Sequence, residues 1–235
     1  MTRPIIALDF ATSNEMFSFL DKFPKDAQLF VKIGMEMYYQ SGPDVIKNIS
    51  ARGHDIFLDL KLHDIPNTVE RAMRVIGELG NIKLTTVHAA GGSHMIAAAK
   101  RGLLATPNGQ NTKLLAITQL TSTSQRQLNE EQLIPGTVQD SVLNYARVAQ
   151  QNGADGVVSS GLEVQAIKAA TGSDFLCVTP GIRLQTQPDE DQTRVVTPAV
   201  ARQNGSDYIV VGRPITQADD AVSAYQQILE SWEQK

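Results

Sequence analysis

The chain lacks the features that mark several large protein classes. Its 235 residues hold one cysteine, Cys177, so no disulfide can form within the chain and a reducing compartment is expected. No apolar run approaches the roughly 18 residues of a membrane-spanning helix. The start MTRPIIALDF carries an acid at position nine, unlike a secretory leader. Basic residues are not in excess: 21 Lys and Arg stand against 25 Asp and Glu, for a net charge of −4. That balance argues against broad binding to nucleic acid or an anionic membrane, but leaves room for a local basic pocket. His54, His63, His88 and His94 are scattered, with no HExxH spacing and no Cys/His cluster, so no zinc site is expected. No GxSxG turn is present either, which removes the usual hydrolase elbow. The remaining class is a soluble, cytoplasmic, globular chain, large enough for a core without disulfide or metal support.

What the sequence does contain is alternation. Short apolar runs, IIALD (5–9), LFVKIG (29–34), DIFLDLK (55–61), KLTTVHA (83–89), KLLAITQL (113–120), GVVSS (156–160), FLCVTPGI (175–182) and YIVVGR (208–213), read as strands covered on both faces. Amphipathic stretches lie between them. Thr12 with Glu15 and Asn67 with Glu70 have capping-box spacing, Ser41 precedes Pro43 and Asp44, and Thr197 precedes Pro198, all helix-start signals. Gly53, Gly80, Gly153, Gly172 and Gly205 fall where helices should stop. Eight strand–helix units in this length predict a single (β/α)8 TIM barrel over residues 1–235. A doubly wound open sheet shares the alternation, but the first strand is not followed by a Gly-rich dinucleotide fingerprint. In a barrel, the long segments 121–136 and 183–194 follow strands five and seven on the catalytic face, as candidate lids.

Charge at the ends of buried strands carries the functional signal. Strand side chains alternate faces, so Asp9, Lys32, Asp59 and Lys61 from three neighbouring strands should point at one barrel mouth, with Asp64 just beyond. Buried charges must pair or meet a charged ligand. At about 4 Å and an effective dielectric of about 20, each such pair attracts by about 4 kcal/mol. A structural ion-pair network would explain one pair; four charges from consecutive strands fit a site that meets an anion with a fixed array. A second, basic group follows the last two strands: Arg183 after the PGI turn, and Gly212-Arg213. Those loops bind phosphate in many barrels, and a glycine turn with a guanidinium suits that ligand. His88 reads as a wall residue of strand four and Cys177 as a small core residue.

The run DLKLHDIPNT (59–68) resembles the signature of the bacterial orotidine 5′-phosphate decarboxylase family. IIALDF (5–10), FVKIGMEMYYQ (30–40), VHAAGG (87–92), TQLTSTS (118–124), VTPGIR (178–183), DQTRVVTPA (191–199) and IVVGRPIT (209–216) match it in order, across essentially the whole chain. The resemblance implies a TIM barrel that converts orotidine 5′-phosphate to UMP and carbon dioxide, the last step of de novo pyrimidine synthesis, with neither metal nor organic cofactor. It implies Lys61 as proton donor to pyrimidine C6, within an array of Lys32, Asp59, Lys61 and Asp64. Asp9 and Lys32 would hold ribose hydroxyls, Thr121 the pyrimidine edge, and Arg183, Gln192, Gly212 and Arg213 the phosphate. It further implies a homodimer in which Asp64 and Thr68 reach the neighbouring subunit's site. The rival is a magnesium-dependent keto-sugar-phosphate decarboxylase or synthase of the same superfamily, which shares the Asp-x-Lys-x-x-Asp motif. That chemistry uses an acidic metal ligand on strand two, where this chain has Lys32. A non-catalytic phosphate-binding barrel would have no use for the charge array.

Overall fold

Why eight short apolar runs close into a cylinder is visible in their pairing. A computed structural model describes residues 3–184 and 194–233. The strands are β1 (Ile5–Ala7), β2 (Phe30–Gly34), β3 (Asp55–Leu62), β4 (Ile82–His88), β5 (Lys113–Ile117), β6 (Gly156–Val158), β7 (Leu176–Thr179) and β8 (Tyr208–Val211). All neighbours are parallel, and β1 pairs with both β2 and β8, which closes the barrel and removes the open-sheet alternative. The helices are α1 (Ser13–Leu20), α2 (Met35–Ser41), α3 (Asp44–Ala51), α4 (Pro66–Glu78), α5 (Gly92–Leu104), α6 (Val138–Gln151), α7 (Val164–Thr171), α8 (Pro198–Gln203), α9 (Arg213–Thr216) and α10 (Ala221–Glu233). Among the described residues, no helix is long and apolar enough to cross a membrane.

Alternation along each strand splits the apolar residues into two cores. Ile5, Phe30, Phe57, Leu84, Leu115, Val178 and Val210 fill the barrel interior. Ile6, Val31, Leu58, Leu114, Val157, Cys177 and Ile209 face outward and pack under the helices. Burial of the Cys177 thiol pushes its pKa up to about 12, which leaves it an inert core residue. The fit between α4 and α5 is close: a Cβ on Gly102 would lie 2.2 Å from the carbonyl oxygen of Glu70.

Helix ends follow the sequence in most places. Thr12 and Glu15 form the expected capping box, and Thr197 caps α8 through the Val200 N–H, with Pro198 in the first turn. The five expected stop glycines all have left-handed backbone. The Asn67–Glu70 box does not form. Pro66 takes the first helical position, Ile65 becomes the cap residue, and Asn67 lies inside the first turn. Ser41 ends α2 rather than starting a helix, and α3 begins at Asp44 after Pro43. The segment 121–136 contains a short π-helical turn over Gln127–Glu131. Residues 185–193 of the other candidate lid lie outside the described residues.

The N-terminal end of the barrel is stapled by a repeated device. Asp155, just before β6, accepts the Leu114 N–H at 2.8 Å and Lys100 Nζ at 2.6 Å through one carboxylate oxygen. Asp207, just before β8, accepts the Cys177 N–H at 2.7 Å and Lys168 Nζ at 2.8 Å in the same way. Each aspartate thus ties its own strand to the preceding one and to the helix that leads into that preceding strand, α5 for Asp155 and α7 for Asp207.

Candidate active site

The opposite end carries the cavity. About 330 Å³ in volume, it opens among the C-terminal ends of the strands, where barrel chemistry resides. Asp9, Lys32, Asp59, Lys61, Thr121, Arg183, Gly212 and Arg213 all line it, as the sequence predicts. Ile117, Val158 and Val210 supply an apolar wall.

The four charges form an alternating chain. Lys32 Nζ lies 2.9 Å from Asp9 Oδ1 and 3.9 Å from Asp59 Oδ2, and Asp59 Oδ2 lies 2.7 Å from Lys61 Nζ. Asp59 and Lys32 side chains are only 10% and 12% exposed, Lys61 is 25% exposed and Asp9, at the rim, 60%. The inner members therefore interact with little solvent screening. Gly34 makes room for the chain: a Cβ there would sit 3.2 Å from Asp9 Oδ1 and 3.3 Å from Lys32 Nζ.

Lys61 does not reach this array by simple alternation. The β3–β4 ladder pairs Leu58 with Thr85 and Leu62 with Val87, so Asp59, Leu60 and Lys61 stand opposite Thr86 alone. This bulge carries the strain: Lys61 has φ +52°, a left-handed backbone rare for a long side chain. Its N–H donates to Thr86 Oγ1 at 2.9 Å, and that hydroxyl donates to Asp59 Oδ1 at 2.9 Å. Both carboxylate oxygens of Asp59 therefore meet donors, Thr86 on one side and Lys61 on the other. Nothing in the strand pattern singles out Thr86, a fully buried residue on β4.

The remaining expected residues divide clearly. Asp64 and Thr68 are exposed and lie away from this chain's own cavity lining. Asp64 Oδ1 accepts the Ile65 N–H at 2.6 Å, and Ile65 itself is 66% exposed. Gln192 lies outside the described residues. Arg183 follows the Gly181 turn, whose φ of +75° favours glycine. His88 ends β4 with its ring 5.7 Å from that of His63. Burial pushes its pKa down, the His63 and Lys61 charges push the same way, and Asp59 opposes them. The cavity lining does not include His88, so the wall position expected for it is not met.

One structural tie escaped the sequence. Arg194 pairs with the buried Glu163 beyond β6 and donates to the Leu120 carbonyl beyond β5 at 2.6 Å. Burial raises the Glu163 pKa, against the pull of Arg194 and the Ser160 N–H. The pair joins three loops beside the cavity. Among the described residues, no group of three or more His, Cys, Asp and Glu side chains is placed to hold a metal ion.

Comparison with known proteins agrees with the barrel fold. The model of the Orotidine 5′-phosphate decarboxylase / HUMPS family matches residues 2–228. Orotidine 5′-phosphate decarboxylase of Lactiplantibacillus plantarum is 56% identical, covering 99% of each chain, and that of Enterococcus faecalis is 53% identical with the same coverage. The crystal structure of orotidine 5′-phosphate decarboxylase from Lactobacillus acidophilus superposes with a TM-score of 0.89 at 46% identity, covering 99% of this chain and all of that one. The Pyrococcus horikoshii enzyme, at 22% identity and a TM-score of 0.76, shares the fold.

Proposed function

The chain belongs to the orotidine 5′-phosphate decarboxylase / HUMPS family, and we propose that it converts orotidine 5′-phosphate to UMP and carbon dioxide. The observation that carries this reading is the Lys61 ammonium 2.7 Å from Asp59 at the head of the alternating array. The reaction breaks the bond from C6 to its carboxylate, and carbon dioxide leaves with the electron pair remaining on C6. The resulting sp² carbanion has no carbonyl placed to delocalise it, so a fixed positive group beside C6 must stabilise it. Lys61 is that group, and its Nζ proton then forms the new C6–H bond. The apolar wall of Ile117, Val158 and Val210 lowers the local dielectric and strengthens the array's field.

Binding uses the remaining expected residues together with part of the array. Arg183, Gly212 and Arg213, with Gln192, grip the phosphate; Asp9 and Lys32 take the ribose hydroxyls; Thr121 reads the pyrimidine edge. Phosphate binding remote from C6 supplies energy that orients the reacting ring. The exposed run 63–68, with Ile65 at its centre, supports a homodimer in which Asp64 and Thr68 complete the partner's site. The reaction is the closing step of UMP synthesis, carried out in the cytoplasm by residues 1–235 as one catalytic domain without metal or organic cofactor.

Lys32 argues against the magnesium-dependent rival, because its ammonium, 2.9 Å from Asp9 and 3.9 Å from Asp59, would repel a divalent cation there. The test is direct: protein purified with excess chelator is mixed with orotidine 5′-phosphate, and UMP is followed. UMP formation at an undiminished rate is expected, with loss of that activity in Lys61→Ala. An inactive wild type, or a Lys61→Ala variant at wild-type rate, sinks the proposal.

A further inference from the structure

We propose that Thr86 is a positioning residue for Lys61, acting through both the backbone and the counterion of that lysine. The inference rests on reading Lys61 as the proton donor. Thr86 is fully buried on β4 at the single position that faces the β3 bulge. Its hydroxyl oxygen accepts the Lys61 N–H at 2.9 Å, and its only proton goes to Asp59 Oδ1 at 2.9 Å. One hydroxyl thus serves two tasks. It takes the backbone donor that the bulge displaces from the regular strand ladder, holding Lys61 at φ +52°. It also fixes the rotation of the Asp59 carboxylate, whose other oxygen receives Lys61 Nζ at 2.7 Å. The α-carbon end and the ammonium end of the lysine are therefore set by the same atom.

The alternative is that Thr86 merely fills space as a β-branched strand residue. Valine would do that equally well, whereas serine would keep the hydroxyl and lose the methyl. The experiment compares Thr86→Val and Thr86→Ser by kcat and KM for orotidine 5′-phosphate, with UMP affinity measured by calorimetry. Thr86→Val should lower kcat by about 30- to 100-fold, or about 2–3 kcal/mol at 1.36 kcal/mol per decade, with KM and UMP affinity moving less than about threefold. Thr86→Ser should stay within about threefold of wild type in kcat. A Thr86→Val kcat within threefold of wild type, or a serine variant as slow as the valine one, overturns the inference. If Thr86→Val does not fold, Thr86→Cys, with its weak S–H donor, replaces it: a kcat well below the serine variant supports the role, and an equal one overturns it.

Should wild type fail to decarboxylate the substrate, the proposed function falls, and positioning is then decided by crystal structures. Lys61 Nζ leaving hydrogen-bond distance of Asp59 in Thr86→Val supports the inference. An unchanged bulge and contact overturns it.

Discussion

Asp59→Asn tests the array at its centre, because the change keeps shape while altering one donor–acceptor assignment. In the native site Asp59 Oδ1 accepts from Thr86 and Oδ2 from Lys61, with Lys32 Nζ 3.9 Å away on the same side. An asparagine has one acceptor oxygen and one NH2 donor, and both neighbours are donors. If the oxygen turns to Thr86, the amide NH2 faces the Lys61 ammonium. If it turns to Lys61, the NH2 meets the Thr86 hydroxyl, which already accepts the Lys61 N–H, and the hydroxyl proton loses its acceptor. Neither rotamer restores the native pattern. The gross attraction lost is about 6 kcal/mol at 2.7 Å and about 4 kcal/mol at 3.9 Å for an effective dielectric of about 20. Measured losses on breaking buried pairs are about 3–5 kcal/mol, and Lys61 is partly solvated, so the lower half of that range applies. We therefore expect kcat for orotidine 5′-phosphate to fall by about 10² to 10³, with KM shifting by less than about tenfold because the arginine rim is untouched. Steady-state decarboxylation, with thermal melting to confirm the fold, reads both. A folded Asp59→Asn enzyme with kcat within threefold of wild type refutes the array as the source of rate.

Three further outcomes follow from the same geometry. Arg213→Ala should raise KM by about 10- to 100-fold through loss of a charge-assisted phosphate contact, and added guanidinium should restore part of it; an unchanged KM removes Arg213 from the phosphate site. Mixing Asp64→Asn and Lys61→Ala subunits, each inactive alone, should return about a quarter of wild-type activity if sites are shared, since about half the dimers are mixed and each holds one complete site. No recovery after proven subunit exchange rules sharing out. Finally, burial lowers the pKa of His54, whose Nδ1 accepts the Leu29 N–H at 3.3 Å, and of His88. Both bind protons more readily in the unfolded chain, so stability is full above about pH 6.5 and declines as pH falls through that value. Melting temperatures should drop between pH 7.5 and 5.5, and less steeply in His54→Asn; parallel slopes would refute the assignment.

The barrel and its mouth were legible in the sequence because both rest on period-two alternation. Phe57 inside and Leu58 outside, or Lys32 inside and Ile33 outside, needed only the strand pattern and the cost of burying charge. The same rule placed Lys61 at the mouth beside Asp59, although the chain reaches that arrangement through a bulge and a left-handed residue that alternation cannot foresee. Thr86 stayed silent for a related reason: a threonine in a strand is ordinary, and only the register across β3 and β4 gives it two partners. At Asn67 the capping spacing competed with Pro66, and proline at the first helical position won. The capping box of Thr137 and Asp140 at the start of α6 lacks the usual sequence signal, since aspartate stands at the position where the motif has glutamate or glutamine.

Lysine–aspartate pairs occupy both ends of this barrel, and what each aspartate's partners belong to separates scaffold from site. At the lower end, Asp155 and Asp207 accept a strand N–H and a helix lysine together, so the pair extends the hydrogen-bond ladder and leaves the backbone relaxed. At the upper end, Asp59 accepts from a hydroxyl and from Lys61 and pairs with Lys32 at 3.9 Å, and both lysines rise from strands into a cavity. Nothing about that arrangement closes the ladder; it interrupts it, and Lys61 bears a left-handed φ costing about 1–3 kcal/mol. A fold tolerates such a cost only where surrounding contacts over-determine the strained residue. Thr86 at one end of Lys61 and Asp59 at the other supply that determination, so the same strain that weakens the strand leaves the ammonium few positions to occupy. A charge held that way needs little reorganisation when negative charge develops beside it, which is the condition electrostatic catalysis requires.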